Sequence, residues 1–114
     1  MSEPETVVRE IDDEDFEAEA LASPGWTVVD FYATWCPHCK AFRPTYEQVA
    51  ATCELPVRFL AVDVQKGKES AKRYGIRSIP AVVLLKAGEK VDLHQGGMQA
   101  DQLTAWLREK CSAE

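Results

Sequence analysis

A strand that has to be buried on both faces constrains this chain more than any other feature. Residues 26–33, WTVVDFYA, are β-branched, aromatic and almost continuously apolar. Such a run predicts a central strand that other elements cover on both sides. Asp30 is the exception, because an acid in the middle of a buried strand is costly unless it is hydrogen-bonded, neutralised or used chemically.

The segments around this strand alternate between helical and strand patterns. Helices are predicted over residues 12–22, 37–51, 68–74 and about 100–110, and strands over residues 6–11, 57–64, 81–86 and 90–94. Pro44 interrupts the second helix and should kink it without ending it. The resulting order, β-α-β-α-β-α-β-β-α, predicts an α/β fold with a mixed sheet between helices.

Length, composition and charge limit the possible functions. The 114 residues are 46% hydrophobic and 28% charged, with no repeat or linker, so we expect one domain over residues 1–114. A net charge of -6 argues against nucleic acid or an anionic membrane as partner. No apolar run approaches the ~20 residues of a membrane helix, and no export signal is visible. We therefore expect a soluble, monomeric, cytoplasmic protein, unless a leader has been removed.

The closely spaced pair Cys36 and Cys39 can be interpreted in three ways. A zinc site needs four ligands, whereas Cys53, Cys111 and His94 are single and scattered. A structural bridge across so short a loop would remove little entropy from the unfolded chain. A redox pair is favoured, because a cysteine where a core strand feeds a helix gains thiolate stabilisation from the helix N-terminus. The second cysteine, one turn away, can then resolve a mixed disulfide.

An ordered set of motifs around this pair resembles the thioredoxin family. The set comprises VVDFYATWC at residues 28–36, Cys39-Lys40, Pro44, Val62-Asp63-Val64, YGIRSIP at residues 74–80 and Gly96-Gly97. The resemblance covers about residues 5–111 and implies a thioredoxin fold, with four to five strands flanked by about four helices. It also implies a thiol-disulfide oxidoreductase that transfers electrons in cell redox homeostasis. Its redox-active centre would be the Cys36–Cys39 disulfide, with no other cofactor and no metal.

The resemblance implies a catalytic role for three residues. Cys36 would be the exposed nucleophile and Cys39 the buried resolving thiol. Asp30 would be the buried acid that handles the Cys39 proton, and burial should raise its pKa toward the operating range. A purely structural, hydrogen-bonded Asp30 is the alternative. Phe59 falls about where many thioredoxins have a lysine near this acid, so we expect its charge partner to be absent.

The resemblance also implies a substrate-binding surface. Trp35 would shield the pair and offer part of the docking surface, although it could instead be a core aromatic. Ile79-Pro80 matches the family's cis-proline loop, whose backbone can hydrogen-bond an extended substrate as an added strand. Gly96 and Gly97 would let the substrate backbone approach closely, although a turn would favour glycine too.

The residues between the cysteines bear on how oxidising the pair is. Ordinary thioredoxins carry Gly-Pro there and protein disulfide isomerases Gly-His, whereas Pro37-His38 resembles periplasmic disulfide-forming oxidases and atypical thioredoxins. Pro37 suits the first helical position, and His38 is expected to stabilise the Cys36 thiolate, unless it is a solvent-facing residue of little influence. Such stabilisation favours the reduced dithiol, so we expect a stronger oxidant than an ordinary thioredoxin. Only 40 residues separate Cys39 from Pro80, too few for the helical insertion of the periplasmic oxidases.

Three functional hypotheses follow. The first is an atypical cytoplasmic thioredoxin that exchanges disulfides with protein substrates and is reduced by a flavin-dependent thioredoxin reductase. The second is an exported oxidase or isomerase whose leader is missing. The third is a docking module with the thioredoxin fold but no catalysis. Cys53 and Cys111 are predicted to be buried small hydrophobes or incidental thiols, Cys111 being the more reactive.

Overall fold

A computed structural model provides the structure of the protein, and it describes residues 7–111. Within these residues there are five strands: β1 (Val8–Ile11), β2 (Trp26–Tyr32), β3 (Val57–Asp63), β4 (Ala81–Lys86) and β5 (Glu89–Gln95). There are four α-helices: α1 (Asp13–Phe16), α2 (Pro37–Thr52), α3 (Lys68–Arg73) and α4 (Ala100–Cys111). The predicted start of the folded core and of the first strand, residues 5 and 6, lies outside the described residues, as do residues 112–114. The α/β class and the predicted element order are confirmed.

The strands form one mixed sheet in the order β1-β3-β2-β4-β5. Strands β1, β3 and β2 are parallel, whereas β4 runs antiparallel to β2 and β5 antiparallel to β4. The apolar strand β2 lies at the centre of the sheet, and every residue from Trp26 to Phe31 is buried. This placement confirms the expectation drawn from its continuous apolarity.

Each face of the sheet is covered by its own pair of helices. Helices α2 and α4 cover one face, through a cluster that includes Val28, Tyr46 and Leu103. The first helix and α3 cover the other face, through a cluster that includes Val29 and Phe16. Because side chains alternate along a strand, Asp30 shares the face of Val28 and lies beneath α2.

Helix α2 runs on past its internal proline, as predicted. Its buried residues are Cys39, Phe42, Tyr46 and Val49, which recur at helical spacing along one face. The Tyr46 hydroxyl lies 2.7 Å from the Leu60 carbonyl oxygen and 3.0 Å from that of Val28, so it joins the helix to two strands.

Among residues 7–111, no helix combines the length and apolar character that crossing a membrane requires.

The first helix departs from the prediction of a single α-helix. After α1 the chain continues as a π-helical turn over Glu17–Leu21, closed by a 2.8 Å bond from the Ala22 N–H to the Glu17 carbonyl oxygen. Near the start of this segment, the Asp13 carboxylate accepts bonds of 2.9 and 2.6 Å from the Ser70 N–H and hydroxyl. Asp13 thereby caps α3, because the first N–H groups of a helix lack intrahelical partners.

Candidate active site

The sheet topology brings three separate loops to one edge. Phe31 near the end of β2 pairs with Ala81 at the start of β4, and Ala81 pairs with Gln95 at the end of β5. The loops that leave or enter the sheet here therefore lie side by side. They carry the cysteine pair, Ile79-Pro80 and Gly96-Gly97, which the resemblance implied to belong to one site.

The cysteine pair lies at the N-terminus of α2, and both of its cysteines are in the thiol form. Cys36 is the N-cap residue, and its Sγ accepts a 3.2 Å hydrogen bond from the Cys39 N–H. The same thiol lies 3.9 Å from the Ile79 carbonyl oxygen, to which it can donate. Helix N–H groups aimed at a sulfur stabilise negative charge on it, so this position suits a thiolate.

The expectation that Cys36 is exposed is wrong for this structure. Cys36 is 4% exposed and Cys39 is 3% exposed. Both pack in a small cluster with Ala33, against which Ile79 and Val64 also lie. The two cysteines therefore differ in what surrounds them and not in how much of their surface is accessible.

The surroundings of Cys39 disfavour its ionised form. Burial, the hydrogen bond with Cys36 and the nearby Asp30 carboxylate together raise the pKa of the Cys39 thiol to about 12. A thiol with so high a pKa is almost entirely protonated near neutral pH. It can act as an attacking thiolate only if a neighbouring group takes its proton.

A groove next to the cysteine pair collects four of the five residues predicted to bind substrate, all but Trp35. This cavity of about 550 Å³, the Ile79 groove, is lined by His38, Ala41, Phe42, Thr45, Ser78, Ile79, Pro80, Gln95, Gly96, Gly97, Met98, Gln99 and Gln102. The Ile79-Pro80 peptide bond is cis, the isomer that the resemblance implied, and Gly96 has φ +94°. The Gly96 N–H donates to the Pro80 carbonyl oxygen at 2.7 Å, which joins the two loops.

Trp35 and His38 both lie at the surface of this site. Trp35 is 64% exposed, so the alternative that it is a core aromatic is wrong. His38 is exposed in the first turn of α2, and its side chain lines the Ile79 groove. Pro37 occupies the first helical position, as expected from its fixed φ.

Asp30 lies completely buried under α2, with 0% of its surface exposed. The register places it in one row across the sheet with Ala61 of β3 and Glu10 of β1. Among the described residues, neither carboxylate oxygen has a hydrogen-bond donor. Burial is the main reason that the pKa of Asp30 is raised to about 7, with Glu10 adding to the rise and Arg43 opposing it. The alternative of a hydrogen-bonded, structural acid finds no such bonds here.

Arg43 supplies the positive partner that was expected to be absent. Its Nε lies 3.8 Å from Asp30 Oδ2, and its Nη2 lies 3.6 Å from Glu10 Oε1. Its guanidinium stacks 4.5 Å from the centre of the Tyr32 ring, and the Tyr32 hydroxyl donates to Glu10. The prediction failed because it considered only the strand position of Phe59, whereas the partner comes from a helix.

Part of this cluster could have been found in the sequence. Arg43 follows Cys39 by four residues, so both project from one face of α2. Asp30 and Tyr32 share a face of β2 because they are two residues apart. The sequence does not indicate that Glu10 lies near Asp30. The two residues share a row of the sheet only because β3 lies between β1 and β2.

The remaining cysteines lie apart from these contacts. Cys53 is half-buried, and its thiol lies 3.8 Å from the Leu55 carbonyl oxygen. Cys53 and Cys111 both pack against the core between the sheet and α2 and α4, as predicted for small hydrophobic side chains. Over residues 7–111, no group of three or more His, Cys, Asp or Glu side chains is arranged to hold a metal ion.

A dithiol on a helix N-terminus, next to an open groove and above a buried acid, can exchange disulfides with another molecule. This combination defines the class of thiol-disulfide oxidoreductases built on a mixed sheet between helices.

Comparison with known proteins agrees with this class. The thioredoxin family model matches residues 7–109. The chain is 37% identical over 97 residues to a thioredoxin of Rickettsia bellii, covering 85% of this chain and 92% of that protein. It is 33% identical over 98 residues to thioredoxin 1 of a Nostoc species, covering 86% and 92%. A 103-residue match at 31% identity to protein disulfide-isomerase A3 of Gallus gallus covers 90% of this chain and 20% of that protein. The chain belongs to the thioredoxin family.

Proposed function

We propose that the Cys36/Cys39 pair reduces disulfide bonds in protein substrates, with Cys36 as nucleophile and Cys39 as resolving thiol. The observation that carries this proposal is the position of Cys36 Sγ, which caps α2 and accepts the Cys39 N–H at 3.2 Å. Of the two sulfurs, this is the one whose negative charge the helix stabilises.

The reaction proceeds in two exchange steps. The Cys36 thiolate attacks one sulfur of the substrate disulfide, and the other substrate sulfur leaves as a thiolate that takes up a proton. Cys39 then loses its proton to the Asp30 carboxylate, directly or through water, and attacks the Cys36 sulfur. The second substrate thiolate leaves and is protonated, so two electrons pass from the dithiol to the substrate and the Cys36–Cys39 disulfide forms.

The substrate is an extended segment of a disulfide-containing protein that lies in the Ile79 groove. The backbone of Ile79, beside Pro80, would pair with it as with an added strand. Gly96 and Gly97 leave room for the backbone of the substrate, and the exposed indole of Trp35 contacts its side chains.

The cellular setting is proposed from family membership. A flavin-dependent thioredoxin reductase, with NADPH as reductant, would return the disulfide to the dithiol. The protein would act as a cytoplasmic monomer with one thioredoxin domain over residues 1–114. Its homology to thioredoxins that it matches over most of their length supports these proposals.

The direct test is reduction of insulin disulfides with NADPH and a flavin-dependent thioredoxin reductase. Cys36→Ser should lower the rate by at least about 10³-fold, because it removes the only proposed nucleophile. Cys53→Ser is the matched control and should keep the rate of the wild type. Activity retained by Cys36→Ser would show that Cys36 is not the nucleophile, and an inactive wild type would favour a docking module.

The pair Pro37-His38 supports the further proposal of an atypical, more oxidising thioredoxin. The reduction potential should be less negative than in the double variant Pro37→Gly/His38→Pro, and a tenfold change in the equilibrium corresponds to about 30 mV. Equilibration with glutathione or dithiothreitol measures it. Equal potentials would reject the role of these residues. The likeness to a disulfide isomerase supports oxidation or isomerisation as the second candidate, which refolding of a scrambled disulfide protein would detect.

A further inference from the structure

The cysteine pair is flanked by a second cavity besides the Ile79 groove. This cavity of about 290 Å³, the Arg43 cavity, is lined by Tyr32, Ala33, Thr34, Cys39, Lys40 and Arg43. It shares no lining residue with the Ile79 groove. The α2 residues of the two linings project from roughly opposite faces of the helix, given ~100° of rotation per residue. The Ile79 groove and the Arg43 cavity are therefore two separate surfaces beside the cysteine pair.

Arg43 connects this cavity to the buried acid. Its guanidinium reaches Asp30 at 3.8 Å from one side, and on the other side it lies 3.6 Å from Glu10 and 3.7 Å from Glu47. Its stacking on Tyr32 restricts its orientation. A half-buried arginine with these contacts is held in place next to a carboxylate that lacks hydrogen-bond donors among the described residues.

We propose that Arg43 is a positioning residue for the second exchange step, and that it keeps Asp30 in the carboxylate form able to take the Cys39 proton. Glu10 opposes it, so the two residues together set the pH at which that step begins to operate. This inference rests on the proposed role of Asp30 as proton acceptor. Arg43 exchanges no proton itself.

The charges that face Asp30 all come from the elements packed around it. Helix α2 contributes Arg43, Cys39 and Tyr46, and β1 contributes Glu10. At the level of Asp30, the neighbouring residues on β3 and β4 are the apolar Ala61 and Val82. Three further residues lie next to this group of charges. Lys40 lines the Arg43 cavity, and Glu47 and Tyr32 both interact with Arg43.

Arg43 and Glu10 should shift the pKa of Asp30 in opposite directions. The positive charge of Arg43 favours the carboxylate of Asp30, and the negative charge of Glu10 disfavours it. Removing Arg43 should therefore raise the pH midpoint of the second step, whereas removing Glu10 should lower it. Glu10 also pairs with Arg43, so its removal frees the guanidinium for Asp30 and acts in the same direction.

The experiment measures the second step alone. A mixed disulfide between Cys36 and a small aromatic thiol is prepared, and release of the thiol is followed by stopped flow between pH 5 and 9. Arg43→Gln should raise the midpoint by about one pH unit, which lowers the rate about fivefold at pH 7. Arg43→Lys should restore most of the rate, and Glu10→Gln should lower the midpoint. Arg58→Gln is the control, because Arg58 pairs with Glu19 at 2.8 Å, away from the site.

Two results would overturn the inference. One is a midpoint of Arg43→Gln equal to that of the wild type, and the other is a shift in the same direction for Arg43→Gln and Glu10→Gln. If Arg43→Gln does not fold, an unchanged midpoint in Glu10→Gln overturns it. Asp30→Asn tests the role of Asp30 as proton acceptor independently of Arg43. A wild-type pH profile in that variant would reject Asp30 as the acceptor, whatever the effect of Arg43→Gln. In an Asp30→Asn background, Arg43→Gln should have no further effect.

Discussion

The two sulfurs of the pair are almost equally buried, yet their surroundings have little in common. Cys36 lies 3.9 Å from the carbonyl oxygen of Ile79, a residue that lines the Ile79 groove, and its nearest polar partners are the backbone groups of Cys39 and Ile79. Cys39 faces a buried acid and a half-buried arginine that pairs with two further carboxylates. The hydrogen bonds of Cys36 are made with backbone groups, whereas charged side chains lie near Cys39.

This difference allows one short motif to supply two thiols with different chemistry. Backbone N–H groups stabilise charge on Cys36 and cannot be titrated away. Burial, the hydrogen bond with Cys36 and the nearby Asp30 carboxylate raise the pKa of Cys39 to about 12, and Asp30 itself can gain or lose a proton. The backbone hydrogen bond to Cys36 is therefore available at any pH, whereas the resolving step depends on the protonation of Asp30.

The largest expected effect separates the roles of the two cysteines. Cys39→Ser keeps the nucleophile but removes the resolving thiol, so turnover should fall at least about 10²-fold while a mixed disulfide with the substrate accumulates. Mass spectrometry of the acid-quenched reaction detects the adduct on Cys36. An adduct that forms instead on Cys39 in Cys36→Ser, at the rate seen for Cys39→Ser, would reverse the assignment.

Asp30→Asn tests how much the buried carboxylate lowers the free energy of unfolding. The pKa of Asp30 rises from 3.8 to about 7 on folding, so the folded state binds more protons and stability falls as pH rises from about 4 to 7. The asparagine variant lacks this loss and should be more stable by about 4 kcal/mol at pH 8, with the gain vanishing below about pH 4. Urea unfolding at both pH values measures it.

Asp92→Asn is the control of opposite sign. Partial burial acts to raise the pKa of Asp92, but hydrogen bonds from the Leu93 N–H, Trp106 and Lys110 hold it below its usual value. Its contribution to stability is present above about pH 4 and is lost as the pH falls through the folded pKa. This variant should therefore be less stable at pH 8 and similar to the wild type in acid. A gain at pH 8 would contradict the assigned contacts.

Gly96→Ala probes the groove side. The φ of +94° at Gly96 disfavours any side chain, so we expect a loss of about 1 kcal/mol in the free energy of unfolding. The KM for a protein substrate should rise severalfold, while the pH midpoint of the resolving step stays unchanged. A shift of that midpoint would show that the two sides of the pair are coupled.

Tyr46→Phe should have the smallest effect. It removes the hydroxyl that lies 2.7 Å from the Leu60 carbonyl oxygen, at a cost of about 1 kcal/mol in stability. Thermal unfolding measures this loss, and Thr52→Val, on the exposed end of α2, is the control. A loss above about 3 kcal/mol would mean that the Tyr46 hydroxyl also stabilises the buried surroundings of Asp30.

Much of the fold and of the site could be predicted because the signals are local. The apolar run of β2, the helical spacing of Phe42, Tyr46 and Val49, and Gly88 in the hairpin each depend on a few neighbouring residues. The burial of Cys36 could not be predicted in this way, since it depends on Ile79, 43 residues away. The π-helical turn was missed because the buried apolar residues Phe16, which precedes it, and Ala20, which lies within it, are spaced as in an α-helix.

The sequence by itself determined which chemistry is available: two thiols one helical turn apart, an acid within the central strand and an arginine four residues after the second thiol. Tertiary structure alone decided how these groups act on one another. The strand order places Glu10 in a row with Asp30, and the packing of α2 on the sheet brings Arg43 to both carboxylates. The physical reason is that charge interactions depend on distance and burial, which only the folded chain defines.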